Sequence, residues 1–320
     1  MAATLALLIP FFGLILIGFI AAKVSRQRAD ALGWMNIFII YAALPALFFK
    51  LVSRTPFDEL TRLDFIFTQL AAVYSVYGLL LIAGVCWRKA SLGESVIQAF
   101  GGAYGNIGYM GPGLALLVLG DAAATPVALI VCLENALHFV VAPAMMALAL
   151  GDERPPLRLV GDVLKRVALH PFILSTAAGF AVAALGWKLP VPLGQLVDYL
   201  AQSAAPCALF AMGVSLALRP LKRVPMEIGY ISAAKLILLP MLMYALMRGI
   251  GGFEQNWVHA AVLLAALPTA TNVFVISQHY GVWQERASAT VLITTVLSVL
   301  TLPVVLYLVS AGFLSAEGMP

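Results

Sequence analysis

Gly101 to Gly113 (GGAYGNIGYMGPG) and Ala265 to Val273 (AALPTATNV) each interrupt an otherwise apolar span, and each carries an asparagine at the interruption, Asn106 in one and Asn272 in the other. Glycine and proline end helices because one gives up backbone order and the other lacks an N–H. Lipid offers no hydrogen bond to a freed N–H or C=O. Unwound backbone at that depth therefore persists only where protein buries it or where it lines a polar cavity. Two breaks, one in each half of the chain, are the sequence pattern of a transport site.

Working outward, the chain of 320 residues is 62% hydrophobic and 11% charged, a composition that places it among polytopic membrane proteins. Apolar runs near twenty residues long predict ten spans, at 4–22, 31–53, 65–87, 95–119, 124–148, 168–186, 194–218, 226–248, 256–280 and 287–312. The first has no basic segment before it and reads as a true helix instead of a cleaved leader. Cys86, Cys132 and Cys207 all fall within spans and read as packing residues, with no disulfide framework.

The basic residues set an orientation. Loops after the odd-numbered spans hold 13 of them: Lys23, Arg26, Arg28, Arg88, Lys89, Arg154, Arg158, Lys165, Arg166, Arg219, Lys222, Arg223 and Arg286. The opposite loops hold 4, Arg54, Arg62, Lys188 and Arg248. This asymmetry predicts both termini outside and the longest loop in the cytoplasm, so the net charge of +4 is a topology signal, not a nucleic-acid surface.

Five spans followed by five more put the second half into the membrane upside down. Internal matches support such a duplication: Pro10-Phe11 recurs as Pro171-Phe172 and Gly18-Phe19 as Gly179-Phe180, each 161 residues on, as do Pro45 with Pro206 and Gly120 with Gly281. The predicted fold is an all-α membrane protein of ten transmembrane helices in a 5+5 inverted repeat, with spans 4 and 9 broken where they cross. Residues 1–150 form the first repeat, 151–167 a cytoplasmic linker and 168–320 the second repeat. Helix restarts near Gly111 and near Asn272, and inversion makes the two new N-termini meet. Unpaired N–H groups and fractional positive charge there favour a carboxylate.

Asn106-Ile107-Gly108-Tyr109-Met110-Gly111-Pro112 resembles the first crossover of the auxin efflux carrier family, and Leu267-Pro268-Thr269-Ala270-Thr271-Asn272-Val273-Phe274-Val275 with Tyr280-Gly281 resembles the second crossover of its bacterial members. Asn36 to Leu47 also fits the family pattern. The resemblance implies a scaffold of spans 1, 2, 6 and 7, which can pair two copies as a homodimer, and a transport domain of spans 3–5 and 8–10 moving like an elevator. It implies substrate contacts at Asn106, Gly108, Gly111, Pro268, Thr269, Thr271 and Asn272. Gly105 and Val273 stand where the plant members usually have proline, and the short central loop is of the bacterial kind. The implied cargo is a small organic acid, malonate-like or auxin-like, with the two departures from the plant pattern and the short loop favouring the malonate type.

Three polar residues in mid-span are further candidates. Lys235 lies too deep to snorkel comfortably, and Glu134 and His138 sit one turn apart on one helix face. An internal Lys235–Glu134 ion pair, compensation of the substrate charge, and proton coupling through Glu134 and His138 all fit. Two ligands do not make a metal site, and no cofactor is expected. Lys50 and His259 read as interfacial, His170 as a helix-start residue and Asp198 as water-accessible. Asn36 and Gln202 are expected to face the scaffold interior. No nucleophile stands beside Glu134 and His138, which argues against an enzyme. The sequence therefore predicts a secondary carrier of a small organic anion in a bacterial inner membrane, with the lipid bilayer as its other partner. The alternative is a membrane sensor that uses the same pocket without net transport.

Overall fold

The structure, a computed structural model, describes residues 2–26, 29–55, 59–151, 161, 165, 168–218 and 225–314. Most of the expected cytoplasmic linker lies outside the described residues, as do Arg28, Arg154, Arg158, Arg166, Arg219, Lys222 and Arg223. Among the described residues there are helices and no strands. We number them α1 (Ala2–Ser25), α2 (Gly33–Ser53), α3 (Leu63–Trp87), α4 (Leu92–Ala103), α5 (Gly111–Leu119), α6 (Ala124–Leu150), α7 (Pro171–Leu185), α8 (Val191–Leu218), α9 (Met226–Ile250), α10 (Gln255–Ala265), α11 (Thr271–Tyr280) and α12 (Gln284–Ser310). Seven of them, α1, α2, α3, α6, α8, α9 and α12, are long and apolar enough to cross a membrane; α7 is a shorter apolar helix.

Two of the long helices show how proline is absorbed. In α2 a wider π-turn, Ile39–Ala43, comes just before Pro45, and in α9 another, Ala234–Leu238, comes just before Pro240. The proline ring crowds the carbonyl one turn back and cannot donate to it, and one extra residue in the turn relieves both problems. In α9 the same wide turn holds Lys235.

The helices pack as two groups. In the first, α1 lies along α8, and α2 lies along both α7 and α8. Small residues bring these backbones together: a Cβ at Gly213 would fall 1.9 Å from the Ile15 carbonyl oxygen, and one at Gly18 would fall 2.2 Å from that of Phe210. In the second group, α3 packs on α4 and α9, while α10 and α12 complete the surround of the short helices. Phe65 stacks edge-on between Phe253 and Trp257, at 5.8 and 4.7 Å. Buried Glu227 joins α3, α9 and α12 by accepting from Arg88 at 3.0 Å and Arg286 at 2.9 Å. In the first group Asp198 on α8 takes Lys50 at 2.8 Å and Arg54 at 2.9 Å.

Several expectations on single residues are extended or changed here. Asp198 stays open to water and Lys50 lies near the end of α2, as expected, and the two also form an ion pair across α2 and α8. Gln202 is exposed on α8, and Asn36 is also exposed instead of facing the interior of its helix group. Cys86 lies on an exposed face as well, whereas Cys132 is buried against the Thr176 hydroxyl at 3.2 Å.

Candidate functional site

The two unwound segments, 104–110 and 266–270, run against each other in opposite directions. Gly105 and Thr269 form an antiparallel bridge, the Asn106 N–H donates to the Pro268 carbonyl at 2.7 Å, and the Ala270 N–H donates to the Tyr104 carbonyl at 2.9 Å. Freed backbone groups thus satisfy one another at a place where no solvent reaches them. Pro268 suits this arrangement because its carbonyl is used and its missing N–H is not needed.

The C-terminal ends of the helices entering the break are capped by side chains. Thr269 Oγ1 donates to the Gly101 carbonyl of α4 at 2.6 Å, while its own N–H donates to Thr294 Oγ1 of α12 at 3.1 Å. Lys235 Nζ donates to the Ala265 carbonyl of α10 at 2.5 Å, and a Cβ placed on Gly105 would lie 3.2 Å from the same ammonium. One cation therefore sits at the negative ends of both short helices, where a positive charge is favoured. The opposite ends are bare: α5 starts at Gly111-Pro112 and α11 at Thr271, neither with a side-chain cap, and among the described residues the Thr271 and Asn272 N–H groups have no acceptor.

A cavity of about 790 Å³ lies between the two helix groups. Asn36, Ser215 and Met212 reach it from the first group, and Tyr109, Thr271, Asn272 and Ser288 from the second. Of the residues proposed to touch substrate, only Thr271 and Asn272 line it. Among the described residues the Thr271 hydroxyl has no partner. Asn106 is buried beside it, and its amide donates to the Met212 sulfur at 3.3 Å, a weak acceptor. Gly108 faces Asn135, Gly111 packs on Leu264 and Leu267, and Pro268 and Thr269 serve the backbone of the break.

Behind the break lies a polar network. Asn272 Nδ2 donates to the Tyr104 hydroxyl at 2.8 Å, which donates to Asn135 Oδ1 at 2.5 Å, and Asn135 Nδ2 is tied to the Val131 carbonyl at 2.6 Å. The Tyr104 ring lies 4.1 Å from that of His138. His138 Nε2 meets Glu134 Oε1 at 3.2 Å, His138 Nδ1 meets the Tyr74 hydroxyl at 3.0 Å, and Gln69 Nε2 donates to Glu134 Oε2. The Glu134–His138 contact one turn apart is as expected. A direct Lys235–Glu134 pair is not formed: within 4.0 Å the Glu134 carboxylate meets the His138 ring, and Lys235 turns to the Ala265 carbonyl. Lys235 and Glu134 instead share the wall of a closed void of about 10 Å³, the size of one water molecule.

Tyr104, Met212, Gln69 and Tyr74 did not emerge from the sequence. Tyr104 had a signal, since a phenol two residues before a mid-membrane asparagine needs a partner; Met212 had none. His170 caps α7, accepting from the Phe172 N–H at 3.4 Å, and also lines the cavity. His259 contacts the Leu314 carbonyl at 3.0 Å.

The family model described as "Membrane transport protein" matches residues 3–306. A Rhizobium meliloti (strain 1021) protein named "Putative malonate transporter" is 59% identical over 320 residues, all of both chains. "Auxin efflux carrier component 6" of Arabidopsis thaliana is 27% identical over 180 residues, which is 51% of this chain and 30% of the plant protein. With the family model spanning nearly the whole chain, and helices long and apolar enough to cross a bilayer, this protein belongs to the auxin efflux carrier family of membrane transport proteins.

Proposed function

We propose that the protein is a secondary carrier of a small organic anion of the malonate type, working by an elevator form of alternating access. In this reading α4 with α5 and α10 with α11 are two broken spans that cross at Gly105 and Thr269, which with the other helices makes ten spans in a 5+5 inverted repeat. Helices α1, α2, α7 and α8 are the scaffold, and α3–α6 with α9–α12 are the transport domain. The observation that carries it is the large cavity between these groups, with bare helix N-terminal residues and Asn272 in its wall.

The cavity wall also includes Leu32, His170, Leu218 and Gln284, at helix ends next to the loops rich in lysine and arginine. That supports an inward-open state with both termini outside a bacterial inner membrane. Lys235, Glu134 and His138 lie behind the crossing, where they balance the charge of the site or pass a proton. A homodimer through the scaffold belongs to the same reading. Uptake of labelled malonate into proteoliposomes tests the function: saturable uptake lost in Asn272→Ala is the expected outcome, while binding without uptake would turn the reading to a sensor.

A further inference from the structure

The charges around the break set the charge of the substrate. Among the described residues no lysine or arginine lines the 790 Å³ cavity. Arg286, close in sequence, is held by Glu227 at 2.9 Å, and Lys235 points away, to the Ala265 carbonyl behind the break. What faces the cavity is the N-terminus of α11, through Thr271 and Asn272, together with the side chains of His170 and Glu285, while α5 starts two residues beyond the lining residue Tyr109. Each helix N-terminus contributes about half a positive charge, so the two together supply at most about one.

The side chains agree with this count. Asn272 has an amide hydrogen for one carboxylate, Asn106 stands behind the Met212 sulfur of the cavity wall, and among the described residues the Thr271 hydroxyl has no partner. Farther into the cavity stand Asn36, Ser215, Gln278 and Ser288, which are neutral groups able both to donate and to accept. They match an uncharged carboxylic acid, whereas a second carboxylate would be desolvated there with no lysine or arginine among the described residues to pair with it.

We propose that the carrier takes its substrate as a singly charged anion, so that a dicarboxylate is carried in its hydrogen-dicarboxylate form. The proton rides on the second carboxyl group. One proton is taken from the medium for each dianion bound and is released with the substrate on the other side. No side chain of the protein needs to change protonation for proton-linked transport. This rests on the crossing as the anion site.

The test is calorimetric titration of the full-length protein with malonate and with malonamate, which keeps one carboxylate and replaces the other by a neutral amide. Above the second ionisation of malonate, its apparent Kd should rise about tenfold per pH unit, with about one proton taken up per ligand. Malonamate should bind with a flat pH profile and no proton uptake. His170 and Glu285 face the cavity and would meet a second carboxylate but not an amide. The malonate titration is therefore repeated in His170→Gln and Glu285→Gln, where the rise in Kd should persist and its loss would overturn the proposal. Tyr109 in the wall and Lys235, Glu134 and His138 behind it act on both ligands through the shared carboxylate. A malonate affinity that stays level as the dianion forms, or the same pH dependence for both ligands, overturns the proposal. Unchanged binding of both ligands in Asn106→Ala and Asn272→Ala would remove the crossing as the site while the proton count still decided the charge. Absence of binding by both would end the two readings together.

Discussion

Replacing Asn272 with alanine is the most direct perturbation of the site. Asn272 stands at the second position of α11, lines the cavity, and has one amide hydrogen committed to the Tyr104 hydroxyl at 2.8 Å. The other is available to an anion. A hydrogen bond to a charged group contributes about 1.5–3 kcal/mol, so the Kd of the carried anion should rise roughly 10- to 150-fold. Tyr104→Phe separates orientation from contact. It leaves the Asn272 amide in place but loses its acceptor, and Asn135 Oδ1 loses its 2.5 Å donor in a buried setting. Stability should fall by about 1–3 kcal/mol, while binding weakens by only about 1 kcal/mol, roughly fivefold. Thermal unfolding and calorimetric titration in one detergent measure both quantities. Wild-type affinity in a folded Asn272→Ala protein, or a larger binding loss in Tyr104→Phe than in Asn272→Ala, would refute the reasoning.

Gly213→Ala should destabilise by about 1–3 kcal/mol, because its new Cβ would fall 1.9 Å from the Ile15 carbonyl, whereas Gly194→Ala on the same helix meets nothing within 4 Å and should be neutral or better in thermal unfolding. Lys235→Met should cut uptake at least about tenfold by baring the C-terminal ends of α4 and α10. Adding Glu134→Gln should not restore it, and full recovery in the double variant would show that the two charges only balance each other. Paired spin labels on α2 and α8 should keep their spacing through turnover while labels on α8 and α12 shift; an unchanged α8–α12 spacing with substrate on both sides would rule out the moving group.

The sequence carried the breaks because the chemistry of a break is local: Gly105, Gly108, Gly111 and Pro268 cannot sustain a helix, and one asparagine stands beside each interruption. Helix limits such as Met226–Ile250 and Val191–Leu218 likewise follow from apolar length alone. The long-range pairings did not. Asp198 with Lys50 and Arg54, and Glu227 with Arg88 and Arg286, join helices more than fifty residues apart, and nothing along the chain says which carboxylate meets which cation. Lys235 shows the limit most clearly. Its depth called for a counter-charge, and Glu134 was the nearest in kind. The fold answered with the partial charges of two helix ends and a backbone carbonyl, partners that have no one-letter code.

In the proposed site the same arrangement supplies positive potential although, among the described residues, no lysine or arginine lines the wall. Breaking a helix exposes equal and opposite partial charges, and a binding site gains from them only if the unwanted pair is neutralised elsewhere. Lys235 neutralises the C-terminal pair from a closed void, so it strengthens the field at the N-terminal pair without touching whatever binds there. A lysine in the cavity itself would hold an anion more tightly and also remain as an unpaired charge whenever the cavity emptied. In the proposed transport cycle, placing the ammonium behind the break keeps its counter-charge constant through loaded and empty states, as an elevator that crosses the bilayer in both would need.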